Sequence, residues 1–375
     1  MTSIAVVGAG LGGLTLASVL HAHGVDATVY ELDASPTARD QGGMLDIHEE
    51  SGQAALRAAG RYDRFLAAVH PGGEDMRVMD KHGVVRYQET DDGHGGRPEV
   101  QRQDLRRILL DSLPDGMIRW GAKVTGVHAV DGRHELGFAD GGTATADVVV
   151  GADGAWSMVR SLVSTDVPAY TGVSFVEADL RPSAAGYRAT ADLVGRGLMF
   201  AFADQQGVIT HREGDDTVHA YVARRVGPEW LAGIDFTDHD AARSSVLAHF
   251  ADWDPRLRAV VAEADGALVP RPIHALPVGH RWHRVPGVTL LGDAAHVMSP
   301  FAGEGANLAM HDGAQLAMAL LAHPDDTEAA LAAYERDLFP RAERAADESA
   351  RNLILCFGPD ALADLIAQFA GHHAG

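Results

Sequence analysis

The stretch Val6-Val7-Gly8-Ala9-Gly10-Leu11-Gly12-Gly13 decides the fold of this chain. An apolar run typical of a buried parallel strand begins at Ile4, and helical character follows from Leu14 to Ala22. Glycines at positions 8, 10 and 13 let a pyrophosphate approach bare N–H groups at a helix N-terminus. Glu31 ends the next apolar run, where a carboxylate binds ribose hydroxyls. This context favours dinucleotide binding over a tight turn without a ligand, but it does not separate FAD from NAD.

A second glycine-rich stretch, Leu290-Leu291-Gly292-Asp293-Ala294-Ala295-His296, follows a buried strand that begins at Val288. A carboxylate at the end of that strand can accept hydrogen bonds from ribityl or ribose hydroxyls. Helical character from Ala306 through Leu321 places another helix N-terminus nearby, whose positive potential suits the negative charge of a reduced flavin. The alternative is an ordinary strand–turn–helix, against which stands the spacing of Pro300, Gly303, Gly305 and Asn307.

A third stretch runs from Val148 to Arg160 and contains Asp153-Gly154 after a buried strand. Asp153 could cap a helix, but its position at the carboxyl end of a parallel strand favours a role facing the cofactor. Together the three stretches predict one FAD site, with the ADP half at the first and the flavin half at the second. His48 and His296 lie near these motifs, and each is read equally well as a structural hydrogen-bond partner or as a catalytic group.

These motifs resemble those of the FAD-dependent aromatic hydroxylases, the single-component flavoprotein monooxygenases. The resemblance spans nearly the whole chain and implies bound FAD, NADPH or NADH as a transient reductant, and O2 as co-substrate. It implies hydroxylation of a phenolic or polycyclic molecule through a C4a-hydroperoxyflavin, so no catalytic side chain is assigned. The expected cofactor-binding residues are Gly8, Gly10, Gly13, Glu31, Asp46, Arg102, Arg106, Asp153, Gly292, Asp293, Pro300, Gly303, Gly305 and Asn307, of which Pro300, Gly303 and Gly305 line the flavin.

Within that family the chain looks most similar to the tetracycline-inactivating monooxygenases. The similarity lies in residues 42–53, 102–110, 250–254 and 298–305. It implies a flavin contact from Arg102 or Arg106, which the sequence does not decide between, and substrate contacts from Glu177, Arg196, His219 and Phe301. Glu177 stands where those enzymes carry a Gln, and Leu32, Ser299 and Glu304 are further departures. FAD binding is therefore better supported than a tetracycline substrate.

The expected fold class is α/β, with a three-layer Rossmann-like FAD-binding domain, an antiparallel-sheet substrate domain and a long C-terminal helix. The predicted FAD-binding domain is discontinuous, formed by residues 1–72, 99–165 and 274–325. Residues 73–98 and 166–273 form the predicted substrate-binding domain, with a hairpin near 76–88, a loop at 91–96 and an open sheet face that covers the flavin. Residues 326–375 form a helical segment that bridges the two.

Composition bounds the partners of the chain. A net charge of −21 over 375 residues speaks against nucleic-acid binding. The single cysteine, Cys356, fits a reducing cytoplasm, and no apolar run is long enough to span a membrane. The histidines are scattered without a metal-binding motif, so no metal is expected. The partner is a small aromatic or polycyclic molecule, and the family analogy favours a monomer.

Two other functions remain open, and two more are disfavoured by the sequence. A biosynthetic hydroxylase of an aromatic polyketide or other phenol would share the fold and the cofactor. A plain NAD dehydrogenase leaves Gly292-Asp293 and Pro300 unexplained, and the W-x-W-x-I-P stretch of a flavin halogenase is absent. From another class, the chain would be a flavin-bound ligand-sequestering or sensing protein without turnover.

Overall fold

The computed structural model describes residues 2–38, 42–91 and 96–372. Of residues 371 and 372 only the backbone is described. The chain divides into two compact units. The first unit comprises Met1–Val69, Arg102–Ala169 and Ala275–Ala350, and the second comprises His70–Gln101, Tyr170–His274 and Arg351–Gly375. The boundary between the two units in the predicted C-terminal bridge, residues 326–375, falls after Ala350, inside one long helix. The loop predicted at 91–96 falls mostly on 92–95, outside the described residues.

Most strands are short, and the long ones belong to the second unit or to a side sheet of the first. In chain order they are β1 (Ile4–Val7), β2 (Ala27–Tyr30), β3 (Met44–Asp46), β4 (Met76–Met79), β5 (Val85–Glu89), β6 (Glu99–Gln101), β7 (Ile118–Arg119), β8 (Val124–Val130), β9 (Arg133–Phe138), β10 (Thr143–Ala146), β11 (Val148–Gly151), β12 (Ala169–Leu180), β13 (Leu198–Ala203), β14 (Gln206–Arg212), β15 (Val218–Arg225), β16 (Val269–Ala275) and β17 (Val288–Leu290).

The two longest helices lie near the C-terminal end of the chain. They are α1 (Leu11–Ala22), α2 (Ala54–Ala58), α3 (Tyr62–Leu66), α4 (Arg102–Leu110), α5 (Tyr187–Val194), α6 (Glu229–Ala232), α7 (His239–Leu247), α8 (Pro255–Ala262), α9 (Asp293–His296), α10 (Gly305–Ala322), α11 (Thr327–Cys356) and α12 (Ala361–His372). Single turns of other helix types lie at Glu49–Gln53, Val159–Leu162, Ala248–Phe250 and Pro300–Ala302.

A five-stranded sheet forms the centre of the first unit, in the order β17-β11-β1-β2-β7. Its neighbouring strands pair in parallel, and all residues of β1, β11 and β17 are buried. Strands covered on both faces are continuously apolar, which is why Ile4–Val7 and Val148–Val150 read so clearly in the sequence. Because the strands are parallel, the loops after β1, β11 and β17 leave the same edge of the sheet.

Helices α1 and α10 pack closely enough to join the two glycine-rich stretches. A Cβ added to Gly12 of α1 would lie 2.6 Å from the carbonyl oxygen of Ala309, and one added to Gly313 of α10 would lie 2.3 Å from that of Gly12. Only glycine fits at such a backbone approach. The first glycine-rich stretch and the residues near 300 therefore lie next to each other through helix–helix packing.

A seven-stranded sheet forms the second unit, in the order β16-β12-β15-β14-β13-β4-β5. The pairs among β12, β15, β14 and β13 are antiparallel as predicted, but β13 pairs with β4 in parallel. The predicted hairpin of β4 and β5 forms the edge beyond that pair. One face packs on α5, α7 and α8 through a core that includes Val176, Val222 and Trp253. The opposite face carries Glu177 and His219, two of the four candidate substrate residues.

The described residues contain neither a candidate membrane-spanning helix nor a candidate metal-binding cluster. Within those ranges no helix is long and apolar enough to cross a bilayer. Nor does the described part of the chain bring three His, Cys, Asp or Glu side chains together in a way that could hold a metal ion.

Candidate active site

The first glycine-rich loop combines two packed glycines with one that is open. Gly8 has a φ of +107°, and a Cβ there would lie 2.3 Å from the carbonyl oxygen of Ala152. A Cβ on Gly13 would lie 2.2 Å from the Gly8 carbonyl oxygen. Gly10 stands at the N-cap of α1 without a side-chain cap, and a Cβ there would meet nothing within 4 Å. The helix thus presents uncapped N–H groups to open space, which is the geometry a pyrophosphate needs.

Glu31 lies beside this loop, where the sequence predicted it. Its side chain is buried and accepts hydrogen bonds from the backbone N–H of Ala9 at 2.6 Å and of Asp33 at 2.8 Å. These bonds hold the carboxylate against the glycine-rich loop at the end of β2. A ribose next to the pyrophosphate would meet it there.

The two candidate arginines of α4 face different partners. Arg106 is buried, donates to the carbonyl oxygens of Pro36 at 2.7 Å and Ala9 at 3.3 Å, and lies over the ring of Trp120 at 5.5 Å. It therefore supports the glycine-rich loop. Arg102 begins α4, and its charge acts instead on the carboxyl group of Asp293. Of the two, Arg102 is the one near the second motif.

Gly292 and Asp293 turn the chain from β17 into α9. Gly292 has a φ of +58°, and a Cβ there would lie 3.0 Å from that of Ala309. Asp293 keeps solvent-accessible surface although protein surrounds it. That crowding raises the pKa of Asp293, while the charges of His296, Arg102 and Arg160 oppose the shift. An accessible carboxylate set in a crowded recess is suited to accept hydrogen bonds from ligand hydroxyls.

The turn after α9 ends at a second open helix start. Pro300–Ala302 forms a single helical turn, Gly303 follows at a φ of +67°, and α10 begins at Gly305. A Cβ on Gly305 would meet nothing within 4 Å, and one on Gly303 would lie 3.8 Å from both carboxylate oxygens of Asp46. Phe301 is half-buried in the same turn. The turn therefore offers a glycine-lined opening at the N-terminus of α10, next to Asp46.

His48 is a structural partner in this turn. Its Nε2 lies 2.8 Å from Asp46 and its Nδ1 lies 3.3 Å from Glu304. A ring held between two carboxylates fixes β3 against the start of α10. The sequence left the role of His48 open, and this geometry favours the structural reading.

Asn307 and Asp153, both predicted to face the cofactor, also bond to the protein itself. The Asn307 side chain is 1% exposed; its Oδ1 accepts from His48 N–H at 2.9 Å and its Nδ2 donates to the Asp46 carbonyl oxygen at 2.8 Å. Both ends of the amide thus position the Asp46 segment. Asp153 accepts from the N–H of Met158 at 2.7 Å and caps the turn at Val159–Leu162, while its Oδ1 is buried without a hydrogen-bond partner in the described part of the chain. A role of either residue toward the cofactor stays a prediction.

A buried ion network behind Asp293 was not predicted. Asp312 accepts from His296 Nε2 at 2.6 Å, from Arg341 at 2.9 Å and from the Gly292 N–H at 2.9 Å. Burial raises the pKa of Asp312, but His296 and Arg341 lower it below its usual value overall. Burial lowers the pKa of His296, but Asp312 raises it above the usual value. A lone acidic residue inside the apolar run of α10 was the available signal.

The remaining candidates lie in the second unit. His219 Nδ1 is 2.6 Å from Asp179, and Glu177 accepts from Arg271 at 2.9 Å. Arg196 precedes β13 and donates to both oxygens of Asp75, at 2.9 and 3.2 Å. The predicted substrate contact of Arg196 stays a prediction, and it requires this ion pair to open before the guanidinium can bind a substrate anion.

Comparisons with known proteins identify the family of this chain. The family described as FAD binding domain matches residues 1–349. The chain is 32% identical to monooxygenase asqM of Emericella nidulans over 97% of each chain. It is 31% identical to 3-amino-4-hydroxybenzoate 2-monooxygenase PtmB3 of Streptomyces platensis, over 90% of this chain and 84% of that one. The structure of tetracycline destructase Tet(55) superposes with a TM-score of 0.78 at 21% identity, covering 100% of this chain and 94% of that one, which is a likeness of fold. The chain belongs to the FAD binding domain family and is an FAD-dependent monooxygenase.

Proposed function

We propose that this monooxygenase takes electrons from NADPH or NADH and uses O2 to hydroxylate a phenolic or polycyclic small molecule. The observation that carries the proposal is the pair of open helix N-termini, at Gly10 and at Gly305, joined by the packing of α1 on α10. One opening suits a pyrophosphate and the other an anionic ring system, as a single FAD requires. No second glycine fingerprint is present in the sequence for a nicotinamide dinucleotide, which fits a reductant that binds transiently.

The residues present fit FAD, and different residues would bind its different parts. Gly10 and the N-terminus of α1 would hold the pyrophosphate, and Glu31 the adenosine ribose. Asp293 would accept from cofactor hydroxyls, with Arg102 beside it. The turn from Pro300 to Gly305 would border the flavin ring. When bound, FAD supplies the activation of O2 and the transfer of one oxygen atom, and the protein supplies orientation and exclusion of water.

The half-exposed face of the second unit's sheet supports an aromatic or polycyclic substrate. Phe200, Ile209, Tyr221 and Glu177 stand opposite one another across four neighbouring strands. Each of the four side chains is partly accessible, but Phe200 is in ring contact with Phe369 of α12, so the open part of the row is a short apolar surface with one carboxylate at its end. Aromatic side chains on such a surface favour planar ligands.

The proposal also concerns the class of substrate, for which there are two candidates. The relative PtmB3 is named for a small phenolic acid, which supports a phenol hydroxylase of biosynthetic type. Tet(55) is named for tetracycline, which supports the antibiotic as a second candidate. In this chain Glu177 is paired with Arg271, so its charge is largely offset at the position where the tetracycline-inactivating enzymes carry an amide.

The test is product analysis under labelled oxygen gas. The yellow protein is incubated with NADPH or NADH and either tetracycline or 3-amino-4-hydroxybenzoate, the compound that names PtmB3. We expect a product heavier by one labelled oxygen atom from one of the two compounds. Ligand binding without NAD(P)H consumption or product would support the sequestering or sensing alternative and reject turnover.

A further inference from the structure

Three neighbouring strands of the first unit's sheet end at one edge. Strands β1, β2 and β7 are parallel and lie in that order, so the segments that follow them leave the sheet side by side. The glycine-rich loop follows β1, and Glu31 follows β2. The first two positions along this edge are therefore those proposed for the pyrophosphate and the ribose of FAD. The third position, directly after β7, is occupied by Trp120.

Backbone hydrogen bonds join the segment after β7 to the segment after β2. The Glu31 N–H donates to the Arg119 carbonyl oxygen at 2.9 Å, and the Gly121 N–H donates to the Asp33 carbonyl oxygen at 2.8 Å. Trp120 lies between the two residues of β7's end that make these bonds. Its backbone is therefore fixed beside the carboxylate proposed for the ribose.

The Trp120 side chain is held in place without being fully covered. The guanidinium of Arg106 lies over its ring, 5.5 Å from the ring centre. That guanidinium is itself anchored, because it donates to the carbonyl oxygens of Pro36 and of Ala9 in the glycine-rich loop. The indole is only half-buried and keeps accessible surface. A ring already oriented by a cation loses little freedom when a ligand stacks on it.

A second apolar side chain follows Glu31 directly. Leu32 is 59% exposed and offers a ligand only apolar contact. The edge thus presents glycine N–H groups, then a carboxylate, then an indole with a leucine nearby. Those groups suit, in the same order, an anionic group, a pair of hydroxyls and an uncharged ring. The adenosine diphosphate half of FAD has its pyrophosphate, ribose and adenine in that order.

We propose that Trp120 binds the adenine ring of FAD, with Leu32 as a second contact and Arg106 as the positioning residue of the indole. Adenine is planar and uncharged, so stacking and the burial of apolar surface hold it, and no ion pair is needed. A purine stacks over a larger area than a pyrimidine, so the site prefers adenine to uracil. This inference rests on the proposed placement of FAD and is independent of the substrate that is hydroxylated.

The test compares two nucleotides on the full chain after removal of its flavin. ADP carries adenine, and UDP carries the same ribose and diphosphate with the smaller uracil ring. Each is titrated calorimetrically and then displaced with FAD. We expect the parent to bind ADP more tightly than UDP and FAD to displace both. In Trp120→Ala the Kd for ADP and for FAD should rise by roughly 10-fold or more, with little change for UDP, because base–aromatic stacking is lost.

Three further variants separate stacking from general damage. Trp120→Phe should keep most of the preference for ADP, because an aromatic ring remains. Leu32→Ala should weaken ADP binding less than Trp120→Ala, since an aliphatic contact is smaller than a stacked ring. Trp230→Ala in the second unit is the matched control, because Trp230 is also half-buried and also lies under an arginine, Arg224, at 4.8 Å. Its nucleotide affinities should equal those of the parent.

Three outcomes overturn the proposal. The first is a parent protein that binds ADP no more tightly than UDP, or whose ADP is not displaced by FAD. The second is an unchanged preference for ADP in Trp120→Ala. The third is a Trp120→Ala variant that loses ADP and UDP affinity by the same factor, because Trp120 then supports the loop and not the base. A protein that shows the expected base preference but gives no oxygenated product rejects the proposed function and leaves the adenine site intact, so the two failures are distinguishable.

Discussion

Two histidine–aspartate pairs of this protein share the same chemistry and the same nitrogen–oxygen distance, 2.6 Å. The pair of His296 and Asp312 in the first unit is sealed, with side chains 4% and 0% exposed. The pair of His219 and Asp179 in the second unit is open, with side chains 15% and 43% exposed. The difference shows that the pairing alone does not indicate catalysis. The sealed pair, which we call the clamp, is closed off from solvent, whereas solvent reaches the open pair.

The further hydrogen bonds of the two pairs support the same distinction between a sealed and an open pair. Asp312 is also held by Arg341 and by the Gly292 N–H, so its charge is balanced inside the protein. The remaining ring nitrogen of His296, Nδ1, is buried and has no hydrogen-bond partner in the described part of the chain. A proton on the sealed pair therefore has no route to a ligand, and the network fixes the turn that carries Asp293. The open pair has no comparable seal.

Breaking the sealed pair should have the largest effect. Asp312→Asn leaves His296 and Arg341 without their counter-charge in the interior, so we expect a loss of about 3–5 kcal/mol of unfolding free energy. Urea unfolding of the FAD-free protein measures it. Asp337→Asn on α11 is the control, since that side chain is 71% exposed. Equal stability of Asp312→Asn and the parent would show that the clamp does not hold the fold.

The variant Asp293→Ala tests whether the turn held by the clamp binds FAD. Asp293→Ala removes a carboxylate that would accept from cofactor hydroxyls, so we expect FAD binding to weaken by roughly 1.5–3 kcal/mol. The fold should persist, because Asp293 is the solvent-accessible member of this region. The measurement is the Kd of FAD from fluorescence titration of the apoprotein. A variant that purifies as yellow as the parent would reject the role given to Asp293.

The two pairs should differ in how strongly they make the unfolding free energy depend on pH. The pKa of His296 is raised in the folded protein, so its stabilising contribution is present at pH below about 6.5 and is lost as pH rises through the raised value. The difference in unfolding free energy between the parent and His296→Gln should therefore shrink with increasing pH. For His219→Gln we expect the same direction with a smaller change, because solvent screens the open pair. A difference that grows with pH for His296→Gln would contradict the pairing.

The smallest effect is expected at the edge of the open face. Glu177→Gln removes the partner of Arg271, which is 57% exposed, so we expect less than about 1 kcal/mol of stability to be lost. Flavin content should be unchanged, while the relative kcat/KM for tetracycline and 3-amino-4-hydroxybenzoate should shift. Loss of flavin in this variant would show that Glu177 serves the cofactor and not the substrate.

The sequence by itself determined the local parts of this protein. Strand β1, the glycines at 8, 10 and 13 and helix α1 are contiguous, and so are β17, Gly292 and Asp293, because a strand–turn–helix is coded within a few residues. It also predicted the second unit's antiparallel strands within a few residues, from their alternating pattern. The dependence on FAD followed from these short motifs.

Tertiary structure decided which side chains serve which purpose. Asn307 and Asp153 were predicted to face the cofactor, and the sequence did not show that Asn307 also bonds the backbone near Asp46 or that Asp153 also accepts from the turn after β11. Arg102 and Arg106 are four residues apart in one helix but turn to different partners. Asp312 and Arg341, like Asp179 and His219, are brought together across 29 and 40 positions of the chain. Burial and long-range pairing set their charges, and neither is written in the spacing of neighbouring residues.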